Sequence, residues 1–404
     1  MGVKRPLQSV RRGSALPLVM AAVLILFVMG MGLMSLGMHS RILAIRAGSE
    51  IVARCAADAG LTQAVYEMNE KLKIQPWDDS TLPQVTGQGL PNCSATFRYT
   101  VTGDLGGGYY LESIGNYILA DRKVNCILPL QGPFEKAIFV QGALILKAGT
   151  VVDGYNSGDP SITDVELVIG TNSTLSGSIV LNSGVTVDGD VVIGPSGTVE
   201  DVIQDHGAST DDQYALIEEV EFPPVTPPGL ANKGIIMIHG TTLIIGPADS
   251  GQYSKIVIKR AAEPGILEIS GGDVVVEVSG NIDVGQDCEI IVTPDASLTS
   301  YLGGDLNTDN NAGINNQNAP GSFKLYGTGT DQTFTIRAKS EVLGAVYAPN
   351  ADVTVMATGD VYGSFVGNSF QMMSGGNFYY DEALKNVSVG DEAVQFVVRG
   401  WSEE

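Results

Sequence analysis

Two stretches, GALILKAGTVV (Gly142–Val152) and GSIVLNSGVTV (Gly177–Val187), decide how most of this chain is read. Each begins with a glycine, runs through a short apolar strand, breaks at a polar turn and continues as a second short alternating strand. Three further segments repeat the plan: GNIDV (Gly280–Val284) with EIIV (Glu289–Val292), GAVYAPNADVTV (Gly344–Val355) and GSFVGNSFQMM (Gly363–Met373). Gly344 and Gly363 lie 19 residues apart, about one coil. Short strands broken by Gly, Asn and Asp turns are what a stacked parallel β-solenoid needs. Each rung leaves strand edges open to the next, so neighbours bury one another and stability is nearly one-dimensional. An ordinary β-sandwich is the alternative topology for the same strands.

The segments around the repeats differ in texture. Gln204 to Gly234 is acidic and contains Pro223-Pro224 and Pro227-Pro228, which reads as an extended linker between two halves of the solenoid. GGDLNTDNNAGINNQNAPG (Gly303–Gly321) reads as a second excursion, a long polar loop. Upstream, ATFRYTV (Ala95–Val101), YYLESIGNY (Tyr109–Tyr117) and Val124 to Leu130 form three alternating runs around Gly106-Gly107-Gly108. They predict a small antiparallel meander after the turn-rich stretch Pro76 to Gly89.

The N-terminal region is of another kind. Arg11, Arg12 and Gly13 precede an uncharged run from Ala15 to Met38. About 20 apolar residues span a bilayer as a helix. Charge returns at Arg41, but no turn cluster follows until Pro76, so one helix is expected from about Ser14 to Ile74, roughly 90 Å long. Pro17 fits its first turn, where backbone N–H groups have no intrahelical acceptor. Met20, Met29, Met31, Met34 and Met38 supply adaptable packing, and Gly30 and Gly37 share a face that allows close approach of a neighbouring helix. Beyond His39 apolar residues recur at three and four, through Ile42, Ile45, Val52, Ala56, Ala59, Gln63 and Tyr66, a face expected to hold the first sheet.

A basic leader, a glycine, an apolar span and a continuing amphipathic helix resemble the N-terminus of type IV pilins and pseudopilins. The segments Arg12-Gly13-Ser14-Ala15-Leu16 and Ala57-Asp58-Ala59-Gly60-Leu61-Thr62-Gln63-Ala64 most resemble the PilX-type minor pilins. The resemblance covers roughly the first 75 residues. It implies cleavage between Gly13 and Ser14 by a prepilin peptidase, N-methylation of Ser14, and assembly with other pilin subunits through an inner-membrane platform. Major pilins carry a glutamate at the fifth residue after the cut. Here that residue is Leu18, which points to a minor subunit instead. Downstream, the run from Val346-Tyr347-Ala348-Pro349 through Phe378-Tyr379-Tyr380-Asp381 resembles the C-terminal β-helical domain of uncharacterised exported pilus-assembly-like proteins, roughly from Ile235 to Glu404.

Charge sets an orientation. The chain carries −22 overall; the first 54 residues carry +6 and the rest −28. Basic residues before the span and acidic bulk after it place the N-terminus in the cytoplasm and the remainder in the periplasm or outside the cell. So acidic an exported part argues against nucleic acid as a partner. A secretory signal peptide is a rival reading, but its apolar core is shorter and ends at a small-residue cleavage site. An unprocessed signal anchor is another. Outside the membrane a disulfide between Cys93 and Cys126 is allowed, whereas Cys55 and Cys288 read as buried thiols.

Catalytic signatures are sparse. His39, His206 and His239 have no Ser or Cys nucleophile placed beside them, and P-loop, G-x-S-x-G and H-E-x-x-H patterns are missing. Lys255, Lys259, Arg260 and Arg337 are the candidate bases for a lyase or hydrolase built on a β-helix, yet isolated basic residues among so many acids read more simply as surface partners. Asp305, Asn307 and Asp309 follow the D-x-N-x-D spacing of calcium loops. The sixth position is Asn310 rather than Gly and the twelfth is Asn316 rather than Glu, so a solvated loop is the plainer reading. Some pseudopilins bind Ca²⁺, which keeps that ion in view by resemblance alone.

The expectation is a mostly β protein with one long N-terminal helix. Its parts are a leader (1–13), a transmembrane and amphipathic helix (14–75), a small antiparallel sheet (76–130), a right-handed parallel β-solenoid in two parts (131–203 and 235–385) around an acidic linker (204–234), and a C-terminal strand and tail (386–404). The expected role is that of a non-enzymatic minor pilin or pseudopilin, without a required cofactor, single-pass in the inner membrane. It would assemble in a type IV pilus or type II secretion-like filament. A membrane-tethered carbohydrate-active enzyme or adhesin is the alternative.

Overall fold

A computed structural model describes residues 15–162, 165–315, 317–337, 342–356 and 360–403. The chain divides into two compact units, one running to Pro129 and taking back the segment from Phe396, the other Leu130–Gln395.

The first unit is built on α1, Ala15–Leu72. Its sheet contains β1 (Gln84–Gly89), β2 (Thr96–Asp104), β3 (Gly108–Tyr117), β4 (Ala120–Leu128) and the strand Arg399–Glu403, in that order and antiparallel throughout. The expected three-stranded meander is its centre. Alternation selects the inner face: Phe97, Tyr99 and Val101 of β2, and Tyr109, Leu111 and Ser113 of β3, are buried.

The face of α1 that meets the sheet differs from the expected stripe. Ile42, Ile45 and Tyr66 are exposed, and Ala53, Ala56, Ala57, Gly60, Ala64, Met68 and Leu72 are buried. Small residues win because they let the sheet come close. A Cβ on Gly60 would press on Ser113 and Phe97, and one on Gly115 would overlap the Ala53 carbonyl. Ser113 Oγ–H donates to Ala57 O at 2.7 Å, across the gap that these small residues leave.

The second unit is a stack of parallel strands around one apolar core. Among the described residues every strand pair of the stack is parallel, which rules out the antiparallel β-sandwich. Inward residues align from rung to rung, and the register of one ladder runs Leu267, Ile290, Ile314, Val342, Val361, Phe378 and then Val152. The sequence-last rung therefore lies on the sequence-first one. The chain enters in mid-stack at Ile138, builds to one end by Ala215, crosses to the other end, and returns from Asn232 to Asp381.

This order corrects the expected boundaries. The rungs of the first run continue past residue 203, through Ile203–Asp205 and Gln213–Ala215. Residues 216–231 alone make the crossing. The Gly303–Gly321 stretch is not an excursion, because Leu306–Thr308 and Gly313–Ile314 are rungs of the stack. The tail also divides: the segment up to Gln395 belongs to this unit, and the strand Arg399–Glu403 to the other.

The crossing segment lies along an aromatic ladder on one outer face. Tyr301, Tyr326 and Tyr347 are in register and buried there, continued by Val366 and Phe139. Phe222 and Val225 of the crossing segment, with Phe134 and Leu384, cover them. Tyr347 Oη–H donates to Pro223 O at 2.8 Å. An extended proline-rich segment suits this job, since it loses little entropy on docking.

Candidate assembly interface

Leu16 to Met38 projects its side chains on every side of α1 with none of the described residues packed over them; Leu24 is 61% exposed and Phe27 63%. By length and composition this helix can cross a membrane, and it is the one such helix among the described residues. Gly30 and Gly37 have open space where a Cβ would stand, so a neighbouring helix can approach there. Below Gly48 the small-residue seam takes over. The helix thus has an uncovered apolar half and a half fastened to its own sheet.

A ring cluster and a carboxylate close the fastened half. Trp77, Tyr109 and Phe396 pack with centroids 5.2 to 5.9 Å apart. Trp77 Nε1–H and Tyr109 Oη–H both donate to Asp79 Oδ1, at 2.6 and 2.5 Å. The Tyr109 hydroxyl bond, with a smaller share from Trp77, holds the Asp79 carboxyl below its ordinary range against the opposing effect of burial. Arg54 bridges to Glu403 at 3.4 Å and sits over the Trp401 ring at 5.3 Å, drawing the returning strand to the helix.

The proposed processing site, Gly13 and Ser14, lies outside the described residues. Cys288 is a buried thiol as expected, whereas the other cysteines depart from expectation. All four are free thiols. Cys93 leads into the Thr96 end of β2, whose rung is Thr96–Asn116–Asp121, whereas Cys126 lies on the Val101–Leu111 rung. Five residues of offset amount to about 17 Å, too far for a bridge. Burial pushes the Cys126 thiol up to about 11, and Cys55 is exposed on the helix.

The residues singled out for calcium are spread into cross-rung bonds. Asp305 Oδ1 accepts Thr333 N–H at 2.9 Å, Asn307 donates to Asp283 at 3.1 Å, and Asp309 is exposed. Asn316 lies outside the described residues. Asn311 and Asp287 pair at the same 24-residue interval as Asn307 and Asp283. Asp287 also binds Arg260, one of the four candidate bases. Among the described residues no three His, Cys, Asp or Glu side chains cluster as metal ligands. His39 lies on α1, His239 ends a strand and His206 follows one, and each is exposed.

A half-buried polar cluster that no sequence motif marks sits at the aromatic ladder. Tyr301 Oη–H donates to Glu392 at 2.9 Å, and Lys324 pairs with Asp391 at 2.8 Å. Burial raises the Glu392 carboxyl, with the Asp391 charge adding to it. Burial also acts to raise Asp391, but Lys324 and the Ser388 N–H and hydroxyl outweigh it and hold that carboxyl below its ordinary range. The cluster joins the tail to the ladder and is closed over by it.

A family described as a domain of unknown function (DUF7305) matches residues 246–387. The match lies wholly in the second unit, on the returning run of rungs. No curated protein matches the chain. Solved structures similar to it include the competence-associated pilin ComZ from Thermus thermophilus, 12% identical, covering 88% of this chain and 98% of that one with a TM-score of 0.22. The ice-binding protein_1 DUF3494 domain from Shewanella frigidimarina is 16% identical, covering 64% of this chain and 100% of that one with a TM-score of 0.20.

Proposed function

We propose that this chain is a PilX-type minor pilin or pseudopilin, a structural subunit rather than an enzyme. Its helix anchors it as a single span in the inner membrane, with the N-terminus in the cytoplasm, and packs with the helices of other pilin subunits. Prepilin peptidase cuts between Gly13 and Ser14, Ser14 is methylated, and an assembly platform incorporates the subunit into a type IV pilus or type II secretion-like filament. The parallel stack is read as a right-handed β-solenoid that the filament presents in the periplasm or outside the cell. No cofactor is needed for that role.

One observation carries the reading: a single helix whose first half is apolar and uncovered on all sides and whose second half is sheathed by its own antiparallel sheet through Ala53, Ala57, Gly60 and Gly115. Such a helix has one half for lipid or like helices and one half to carry a head. Engagement of the Asp and Asn side chains of the stack in bonds between rungs supports a structural role for them.

N-terminal mass spectrometry of the protein from native membranes, with and without active prepilin peptidase, tests this. A peptide beginning at methylated Ser14, lost without the peptidase, is the expected result. An intact start at Met1 or Gly2 in both strains would sink the reading.

A further inference from the structure

The stack consists of two halves whose touching rungs have no chain link between them. The first half ends at Ala215 and the second begins at Asn232. They meet where Asp360–Met372 and Asn377–Asp381 lie on Ile138–Val140, Leu144–Leu146 and Val151–Tyr155. Phe365 pairs there with Ile138, Phe370 with Leu144 and Phe378 with Val152, all buried. The three phenylalanines pack edge-on, with centroids 5.7 to 6.2 Å apart. So large an apolar face is costly to leave in water.

Polar bonds make the joint selective. The buried Asp381 carboxylate accepts the Ser157 N–H at 2.9 Å and the Ser157 Oγ–H at 2.6 Å, and Tyr380 Oη–H donates to Phe134 O at 2.8 Å. These bonds fit a first half of this sequence rather than any parallel stack. The same division runs through the antiparallel sheet, where Arg399–Glu403 pairs with Ala120–Leu128.

One segment ties the halves. Tyr214 and Asn232 stand on one ladder, ten rung spacings apart, which is about 48 Å. The chain between them reaches at most about 60 Å, so the tether has little slack. It is fastened on both sides of the joint: Val220 to Asn172 of the first half, and Pro223 to Tyr347 of the second. Phe370 follows Leu144 by 226 residues, so the first half is synthesised whole before its covering rung exists.

We propose that copies of this chain exchange halves: residues 232–404 of one copy complete the stack and the sheet of a second, which reciprocates. Every rung contact and its register is that of the single chain, and only the path of the tether changes. Closure within one chain is favoured by the effective concentration that the tether supplies, an advantage that falls as slack is lost. The exchange does not depend on how the helix is processed or used.

Disulfide trapping of the full chain in detergent micelles tests it, in a background carrying Cys55→Ser and Cys93→Ser. Gln371 and Ile145 are register partners on one face of the coil, Tyr379 and Asp153 on the next, and all four are half-buried. At about 4.8 Å between strands, each pair is within disulfide reach. A chain with Gln371→Cys and Tyr379→Cys is co-expressed with one carrying Ile145→Cys and Asp153→Cys, and the mixture is oxidised. The expected product is a mixed dimer bonded at both positions, with neither chain cross-linking when expressed alone. A side-by-side contact of two closed stacks would bond one face and not both. Absence of the mixed dimer, or bonding at one position only, overturns the proposal. Deleting Pro223–Pro228 from both chains cuts the reach to about 40 Å, less than the span, and should remove the monomer from the sizing profile. A folded monomer of the shortened chain would overturn the proposal as well. If the shortened chain does not fold, the disulfide pairs at full length decide.

Discussion

Asn69 holds Phe396 by both of its backbone groups. Its Nδ2–H donates to Phe396 O at 3.2 Å and its Oδ1 accepts Phe396 N–H at 2.6 Å, across 327 residues of sequence. One amide thus does what a neighbouring strand would do, and it fixes the point from which the last strand returns to the sheet. Asn69→Ala leaves both groups unpaired in a partly buried place, which costs about 1–3 kcal/mol. Hydrogen exchange should report it as faster amide exchange over Arg399–Glu403. Unchanged protection there would show that the Arg54–Glu403 bridge and the ladder suffice.

Glycine placement separates fold from assembly. Gly115→Ala drives a methyl group into the Ala53 carbonyl and the Ala57 amide, and the strain expected of overpacking is about 1–3 kcal/mol. Gly30→Leu and Gly37→Leu meet nothing in their own chain. They should leave thermal unfolding of the two compact units unchanged while, on the proposed role, reducing incorporation into filaments. Circular dichroism melts and recovery in sheared filament fractions check the two effects separately.

The Glu392 and Asp391 carboxyls give opposite dependences on pH. Burial raises Glu392, so its ionisation costs stability as pH rises through its folded value, and protonation restores it. Glu392→Gln should therefore raise the Tm at pH 7, with the gain fading near pH 4. Burial acts against Asp391 as well, but Lys324 and Ser388 hold it low, so its contribution is present above the ordinary carboxylate range and lost as pH falls through its lowered value. Asp391→Asn should lower the Tm at pH 7 and make progressively less difference as the medium is acidified. Calorimetric Tm against pH for the two variants decides it; parallel profiles would contradict the assignment.

The crossing segment is pinned by a second asparagine in the same manner. Asn172 Nδ2–H donates to Val220 O at 2.7 Å and its Oδ1 accepts Val220 N–H at 3.0 Å. At the other end the Leu230 N–H donates to Glu277 at 2.7 Å. Asn172→Ala combined with Tyr347→Phe removes the first of these pins and the hydroxyl bond to Pro223. The expected outcome is faster proteolysis and amide exchange over residues 218–231 with the stack still folded. Global unfolding at the same midpoint, with no local change, would mean that Phe222 and Val225 hold the segment unaided.

Much of this architecture was written locally. The apolar run after Arg12 and the absence of turn residues until Pro76 sufficed for one long helix, because helix formation depends on near neighbours and solvent. The repeats carried register as well as strand type. Gly142 and Gly177 align, and the structure pairs Leu144 with Ile179 at that same offset. Gly344 and Gly363 align and are paired directly. A repeat that buries its neighbour must present equivalent residues at equivalent places, so the alignment is the ladder.

What the tertiary structure decided is everything that joins residues remote in sequence. Nothing local places Phe378 beside Val152, because a rung is satisfied by any neighbour with a matching apolar edge. The acidic, proline-rich composition of residues 204–234 reads as a solvated linker until the aromatic ladder it covers is in place. The disulfide allowed by compartment failed on register, a property of the whole sheet. The helix face that meets that sheet is likewise set by small residues rather than by hydrophobicity alone. Ala53, Ala57 and Gly60 look unremarkable as a stripe, and their value appears only when Gly115 and Ser113 stand against them. The sequence by itself determined which elements form and how their repeats align. Only the packed structure decided which surfaces meet, because close approach is a property of pairs.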